Sequence, residues 1–573
     1  MIDAEQLLKE TYPNLKFGKD NKLIVTALKK LLHQDDLNDF TAKHQHLRGF
    51  AFLDKLLHHF KFNYQVSGDS INHIPSEGRL LIVANHPLGT LDGLALLKLV
   101  RSVRPDVRIV ANRVLLHMEH LQSVFLPIDV LTDKQSLKQS YKAMLQALEN
   151  DEAIIIFPAG EVARITPKGI VDGPWQNGFI KLAKKSYSPV LPIYIKAKNS
   201  ALFYSLSMLY KPLGTFMLVS EMFNKKHQDI KFKIGAPVPA HAFFDAKESN
   251  KILSRRFRKH VINLGKKAPK PLFETVETVI HPGDAKAIKK ALYCSRLLGE
   301  TRDGKKIFLY QFQDDCPVMQ EIARLRELTF RTVEEGTGFA LDLDKFDVYY
   351  QHIVLWDDKD LEIVGAYRVG DGPAIMATRG VEGFYTQSLF DLRGEFEALL
   401  PSSIELGRSF VQPRYWGQHS LEYLWYGIGA YLREQPEIKY LFGPVSISNA
   451  YPQLAKELIV GFYQQQFGTQ WLQTKARTPF VISEHCSHFV ASEFNGDYST
   501  SFRVLNTELK KLGVKVPMLY KQYVELCVDK GCHFIDFNID PDFNQCIDSL
   551  IMVEIDKITP KKRQRYIEKS LVN

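Results

Sequence analysis

Apolar and polar positions along the chain switch repeatedly between two periods. From Arg79, RLLIVANHP is a short continuous apolar run closed by a polar turn, the pattern of a strand buried on both faces. TLDGLALLKLVRSV returns at helical spacing, VRIVAN is a second strand, and SLKQSYKAMLQALENDE is an amphipathic helix with Lys and Glu on its outer face. AIIIFPAG and VLPIYIKA add two more strands. Strands alternating with helices predict an α/β layer fold. Upstream, Leu23, Ile24, Val25, Leu28, Leu31 and Leu32 fall near helical spacing and predict a helical region over 1–65.

A second patterned region follows. IFLYQFQ, HIVLWD, LEIVGAYRVG, SIELGRSFV, YLFGPVSIS and SLIMVEID read as strands, with EIARLRELTFRTVE and SLEYLWYGIGAYLREQ as helices between them. The basic, proline-containing GKKAPKPL at 265–272 has the composition of a linker. The expected organisation is a helical region at 1–65, an α/β domain at 66–265, a linker at 266–290 and a mixed α/β domain at 291–573. No internal repeat relates the halves.

Composition narrows the classes. A chain of 573 residues exceeds one ordinary core, so two domains are expected. Hydrophobic residues at 45% and charged residues at 24% exclude long disorder. The net charge of +9 suits anionic partners, and ordinary solubility accounts for it equally well. Nucleic acid is disfavoured, because Lys and Arg are dispersed and no reading motif is present. The Met1 end has no secretory pattern, and no stretch reaches the roughly 18 apolar residues of a spanning helix. The nearest, 201–223, is interrupted by Lys211, Pro212 and Gly214, which leaves a membrane-facing hairpin or a buried segment open. All six cysteines lie in the second half without a CxxC, so reduced thiols in the cytoplasm are expected. HCSH at 485–488 is a lone cluster, and no metal is expected.

The first chemical block is NHPLGTLDG at 85–93. An aspartate can hold an imidazole in one tautomer and stabilise its charged form, and that imidazole can then take a proton from an attacking hydroxyl. His86 and Asp92 have that spacing across a strand-to-helix turn, and Gly89 permits close substrate approach. A His and an Asp in a loop are by themselves more often structural. FPAGEVAR at 157–164 follows another strand; Gly160 could leave backbone amides open to an oxyanion or an anionic headgroup, and Arg164 and Lys168 add charge. With the basic segment around Asn112 and Arg113 and the proline-containing SPVLPIYI, these blocks resemble the glycerophosphate and lysophospholipid acyltransferase family over about 80–197. The resemblance implies that His86 is the general base, Asp92 its orienter, and Asn85, Gly89, Arg113, Gly160, Glu161 and Arg164 substrate contacts, with direct attack on a thioester. Two departures stand out. Five residues separate His86 from Asp92 where the family commonly has four. Ala159 occupies the family's glutamate position, and whether Glu161 substitutes is left open.

The second block is ELGRSFV at 405–411, with YLFGPVSIS and LYKQYVELCVDKGCHFIDFNIDPDFNQCIDSLIMVEID after it. Together with ELTFRTVEEG at 327–336, these resemble the ornithine N-acyltransferase family, related to acyl-homoserine-lactone synthases and GNAT-like in fold, over about 308–556. Glu405 can accept a proton or bind an ammonium, and Arg408 can grip a carboxylate. A surface ion pair is the plain alternative. Asp540 and Asp542 are further candidates for a side-chain amine, and Gly443 could open the backbone where a thioester lies.

The whole arrangement resembles the bifunctional ornithine-lipid synthases. That resemblance implies a C-terminal half that joins a 3-hydroxyacyl group from acyl carrier protein to ornithine, and an N-terminal half that esterifies the freed hydroxyl. It also implies an acyl-ACP donor (acyl-CoA the alternative), no cofactor, and a peripheral place on the anionic cytoplasmic face of the inner membrane. The rivals are acylation of lysophosphatidate with acylation of another amino acid such as glycine, and a non-catalytic C-terminal module that binds carrier protein or membrane.

Overall fold

The chain divides between Thr278 and Val279 into two units. The structure, a computed structural model, describes residues 26, 29–31, 33–112, 119–128, 134–166, 169–209, 217–218, 220–221, 223, 229–244, 247–469, 471–528 and 530–568. Both units are α/β, with sheets of mixed strand direction.

The first unit contains β1 (Asn63–Val66), β2 (Leu80–Ala84), β3 (Val107–Asn112), β4 (Phe125–Ile128), β5 (Ala153–Ile156), a small hairpin of β6 (Arg164–Thr166) and β7 (Gly169–Val171), β8 (Val190–Lys196) and β9 (Asp229–Ile234). The sheet order is β1-β9-β8-β2-β5-β3-β4, with β8 and β9 antiparallel and the other neighbours parallel. The central strand β2 is apolar throughout because both faces are covered. Leu80, Ile82 and Ala84 enter a core shared with helices Gln34–Lys43, Gly49–His59 and Thr90–Arg101. Leu81 and Val83 enter another, shared with helices Lys134–Glu149, Gly178–Ser186 and Asn250–Leu264. Because β2, β5 and β8 are parallel neighbours, the loops that leave them gather at one edge of the sheet, where open α/β sheets place ligands.

The stretch read above as the first half of a linker is held along this unit. Leu272 N donates to His260 Nδ1 at 3.0 Å, Phe273 stacks on Phe257 at 4.1 Å, and Val276 N donates to Pro237 O at 3.0 Å. Among the described residues no helix is long and apolar enough to cross a membrane. Of 201–223, helix Ala201–Leu209 is described, and 210–216 lie outside the described residues, as do most of the early apolar positions and Arg113.

The second unit contains β10 (Arg296–Glu300), β11 (Lys306–Gln311), β12 (Gln351–Asp357), β13 (Glu362–Asp371), β14 (Phe390–Asp391), β15 (Ser403–Val411), β16 (Tyr440–Ile447), β17 (Lys475–Ala476), β18 (Cys532–Asp540) and β19 (Cys546–Glu554). Eight of them form one sheet in the order β10-β11-β12-β13-β15-β16-β19-β18. Its neighbours are antiparallel except β15 and β16, which are parallel because helix Ser420–Arg433 returns the chain between them. That pair is in register only over Ser403–Tyr440, Ile404–Leu441 and Glu405–Phe442, and beyond it the strands diverge.

Candidate active sites

In the first unit, β2 ends at Ala84 and the chain turns into helix Thr90–Arg101. The Asn85 amide extends the β2–β8 ladder by one rung: Nδ2 donates to Ile195 O at 2.9 Å, and Ile195 N donates to Oδ1 at 2.7 Å. Both polar atoms of the Asn85 side chain, expected from sequence to contact substrate, are thus engaged in locking the sheet. Gly89 enters the helix with φ +95°, a left-handed conformation that L side chains rarely adopt.

His86 and Asp92 meet. Nδ1 lies 3.1 Å from Asp92 Oδ1, an ion-pair distance once the ring is charged. The other carboxylate oxygen, Oδ2, accepts from Leu88 N at 2.7 Å. The Asp92 side chain is completely buried, while the imidazole is 18% exposed. Phe157, from the loop after β5, stacks on the ring at 4.1 Å. Burial disfavours the charged ring, but the Asp92 carboxylate and its contact, with the charge of Asp172, outweigh it and raise the His86 pKa. This is a partly open imidazole with a fixed carboxylate behind it, the geometry of an oriented general base.

Asp172 was not foreseen from sequence. It follows β7, accepts His86 N at 3.1 Å on Oδ1 and Trp175 Nε1 at 3.1 Å on Oδ2, and so clamps the histidine backbone. Its signal was VDGPW, an acid at a Gly-Pro turn. The FPAG loop is less open than expected, since Gly160 N donates to Phe157 O at 3.0 Å and that amide is committed. Glu161 and Arg164 pair with each other at 3.2 Å near the surface, and Ala163 N donates to His86 O at 2.8 Å.

In the second unit, Ala366 pairs with Phe410 and Arg368 with Gly407, so Arg408 and Ser409 stand opposite the single Tyr367. This bulge gives Arg408 a φ of +47° and re-aims its side chain. The guanidinium lies 4.9 Å from the Tyr385 ring and 4.6 Å from the Phe543 ring, with Nε 3.5 Å from Asp342 Oδ2. Asp342 is itself 3.2 Å from Arg326 Nε, and Arg326 grips Asp347 through both terminal nitrogens at 2.7 and 2.9 Å. Arg368 holds Asp344 at 2.7 Å. The 342–344–347 spacing of acids in LDLDKFD was the sequence signal for this network.

Glu405 is sealed in, 1% exposed. It accepts from Tyr350 Oη, Thr386 N at 2.7 Å, Thr386 Oγ1 at 2.6 Å and Tyr385 N at 3.2 Å. Four donors commit the carboxylate to holding Tyr385 and Thr386. Asp540 is buried and Asp542 is exposed, with Asp542 N donating to Asp540 Oδ1 at 2.9 Å. Asp548, missed from sequence, adjoins Asp540; burial and that like charge push it well above the usual carboxylate range. Gly443 sits where the strands part, and a Cβ there would stand 2.0 Å from Leu406 O.

Beyond Phe442 the facing edges of β15 and β16 are released from each other. Backbone groups on those facing edges can bond an extended, amide-bearing chain such as the arm of an acyl thioester. Such a pair of sites, one an oriented histidine on an α/β sheet and the other an arginine at parted parallel strands, has chemistry suited to acyl transfer.

Comparison with known proteins agrees. A family described as Acyltransferase matches residues 7–262, and one described as Acetyltransferase (GNAT) domain matches residues 325–426. A glycine N(alpha)-acyltransferase of Phocaeicola vulgatus is 30% identical over 307 residues, 51% of this chain and 93% of that protein. A lyso-glycine lipid O-acyltransferase of Bacteroides thetaiotaomicron is 31% identical over 255 residues, 43% of this chain and 92% of that protein. An L-ornithine N(alpha)-acyltransferase of Brucella abortus is 31% identical over 150 residues, 23% of this chain and 50% of that protein. The chain belongs to the acyltransferases, with an Acyltransferase-family first unit and a GNAT second unit.

Proposed function

We propose that this chain builds a diacylated aminolipid by two successive acyl transfers. In the second unit an acyl thioester, 3-hydroxyacyl on acyl carrier protein or else on coenzyme A, lies along the parted strands. Arg408 receives the acceptor's carboxylate and the neighbouring acids its ammonium, and the amine attacks the thioester carbonyl. In the first unit the freed 3-hydroxyl loses its proton to His86 and attacks a second thioester, while Asp92 stabilises the ring as it charges. No cofactor enters either step. The lipid intermediate and the chain's net positive charge suit a peripheral place on the anionic cytoplasmic face of the membrane.

The observation that carries the reading is the coexistence in one chain of the His86–Asp92 pair and the Arg408 site. Glycine is the first acceptor to test, because the relatives that each half spans almost end to end carry it in their names. Ornithine, expected from the sequence, is the second reading. Asp540, Asp548 and Glu335 are three buried acids that feel the charge of Arg408, and a side-chain ammonium among them would favour their ionised forms. The test is mass spectrometry of lipids from a host without aminolipids that expresses the full chain. A diacylated glycine or ornithine lipid is expected, with His86→Ala stopping at the monoacyl form. Diacyl lipid from the His86→Ala chain, or no N-acyl amino acid from the unaltered chain, would refute the reading.

A further inference from the structure

Glu335 lies just beyond helix Pro317–Thr332 and crosses the end of β16. Ser448 Oγ donates to Val333 O at 2.6 Å, Ser446 Oγ to Glu335 Oε2 at 2.7 Å, and Asn544 Nδ2, from the β18–β19 turn, to Glu334 O at 2.7 Å. Ser446 is three residues past Gly443, on the stretch of β16 that has left β15, and is in register with Asp548. The Glu335 side chain is only 8% exposed, yet among the described residues it has one hydrogen-bond donor and no ion-pair partner. The groups whose charges bear on it are Arg408 on β15, Asp548 and Cys546 on β19, Tyr520 on helix Met518–Leu526, and Tyr451. A carboxylate so placed is neither paired nor solvated, unlike Glu405 with its four donors.

We propose that Glu335 is the proton acceptor of the N-acyl transfer, taking a proton from the acceptor's ammonium at the mouth of the parted strands. The assignment rests on the reading of the second unit as an amine acyltransferase. The balance is simple. The ammonium gives one proton to Glu335, and the freed nitrogen attacks the thioester carbonyl carbon. As the C–N bond forms and the C–S bond breaks, the second proton on nitrogen passes to the departing thiolate. The products are an amide and a thiol, and Glu335 returns its proton to water. Burial pushes the Glu335 carboxyl up to about 7, although the Ser446 hydrogen bond and the Arg408 charge pull it down. A base of that strength is matched to work near neutral pH.

The experiment measures N-acylation by the full chain and by Glu335→Gln from pH 5.5 to 9, with an amino acid and with hydroxylamine as acceptors. Hydroxylamine is already neutral at pH 7 and needs no base. For the unaltered chain, amino acid transfer should rise through about pH 7. Glu335→Gln should lower it about 100-fold or more and lose that rise, while hydroxylamine transfer stays within a few-fold. Unchanged amino acid transfer with the same rise overturns the assignment. Equal loss with both acceptors also overturns it, because the residue would then be structural. If the unaltered chain acylates no amino acid at all, the proposed reaction itself fails, a separate outcome.

Discussion

The substitution Asp92→Asn tests the first site most sharply. The carboxylate stands 3.1 Å from His86 Nδ1, where a full charge on the ring would gain about 5 kcal/mol at an effective dielectric constant of about 20. The ring is 18% exposed, so roughly 3 kcal/mol is the fairer figure after solvent screening. Loss of that term alone costs on the order of 100-fold in kcat. The tautomer adds to it. Leu88 N–H is buried and needs an acceptor, so the new amide oxygen must face it and the amide NH2 must face Nδ1. The neutral ring then carries its proton on Nε2, where it cannot accept one from the substrate. The expected total is 10² to 10⁴-fold in kcat, about what a general base supplies. The assay is O-acylation of a supplied lyso-lipid across pH. Because Asp92 is the chief group that raises the His86 pKa against burial, the acid limb of the profile should move to lower pH in the variant. Undiminished kcat with an unmoved acid limb would refute the role given to this pair.

Three more outcomes are expected. Asn85→Ala strips both bonds from Ile195 and leaves buried backbone groups unmet; a loss of about 2 kcal/mol is expected, read as a drop of roughly 4–8 °C in the unfolding of the first unit. Gly443→Ala drives a methyl to 2.0 Å from Leu406 O, so β15 and β16 must shift; N-acylation should fall at least 10-fold while O-acylation by the same chain persists. Glu335 has a folded pKa above its unfolded one, so its protonated form favours the fold at low pH. That stability is present below about 4.5 and lost as pH rises through about 7. Denaturant titrations at pH 5 and pH 8 should therefore show the second unit losing up to roughly 3 kcal/mol, a loss that Glu335→Gln removes.

Strands buried on both faces announce themselves by runs of apolar residues, even where an Arg368, Glu405 or Asp548 interrupts them. For that reason β2, β3, β5, β8, β11, β12, β13, β15, β16 and β19 were legible, and with them the two α/β units. Edge and half-solvated strands were not. DIKFKI of β9 alternates Lys with apolar residues, and FLPI of β4 carries Pro127. His86 and Asp92 were legible because one turn of chain brings them together, so spacing sufficed. Glu335, the β15 pair Glu405 and Arg408, and the β18–β19 pair Asp540 and Asp548 lie on elements far apart in the chain. Their residue types hint at chemistry, but partners are chosen by strand order and register. Only the folded sheet, with a bulge opposite Tyr367 and strands parting after Phe442, decided that among the described residues Glu405 has four donors and Glu335 one. Local contact is written in sequence because it costs little chain entropy to form. A site assembled across strands exists only once the sheet that holds it has closed.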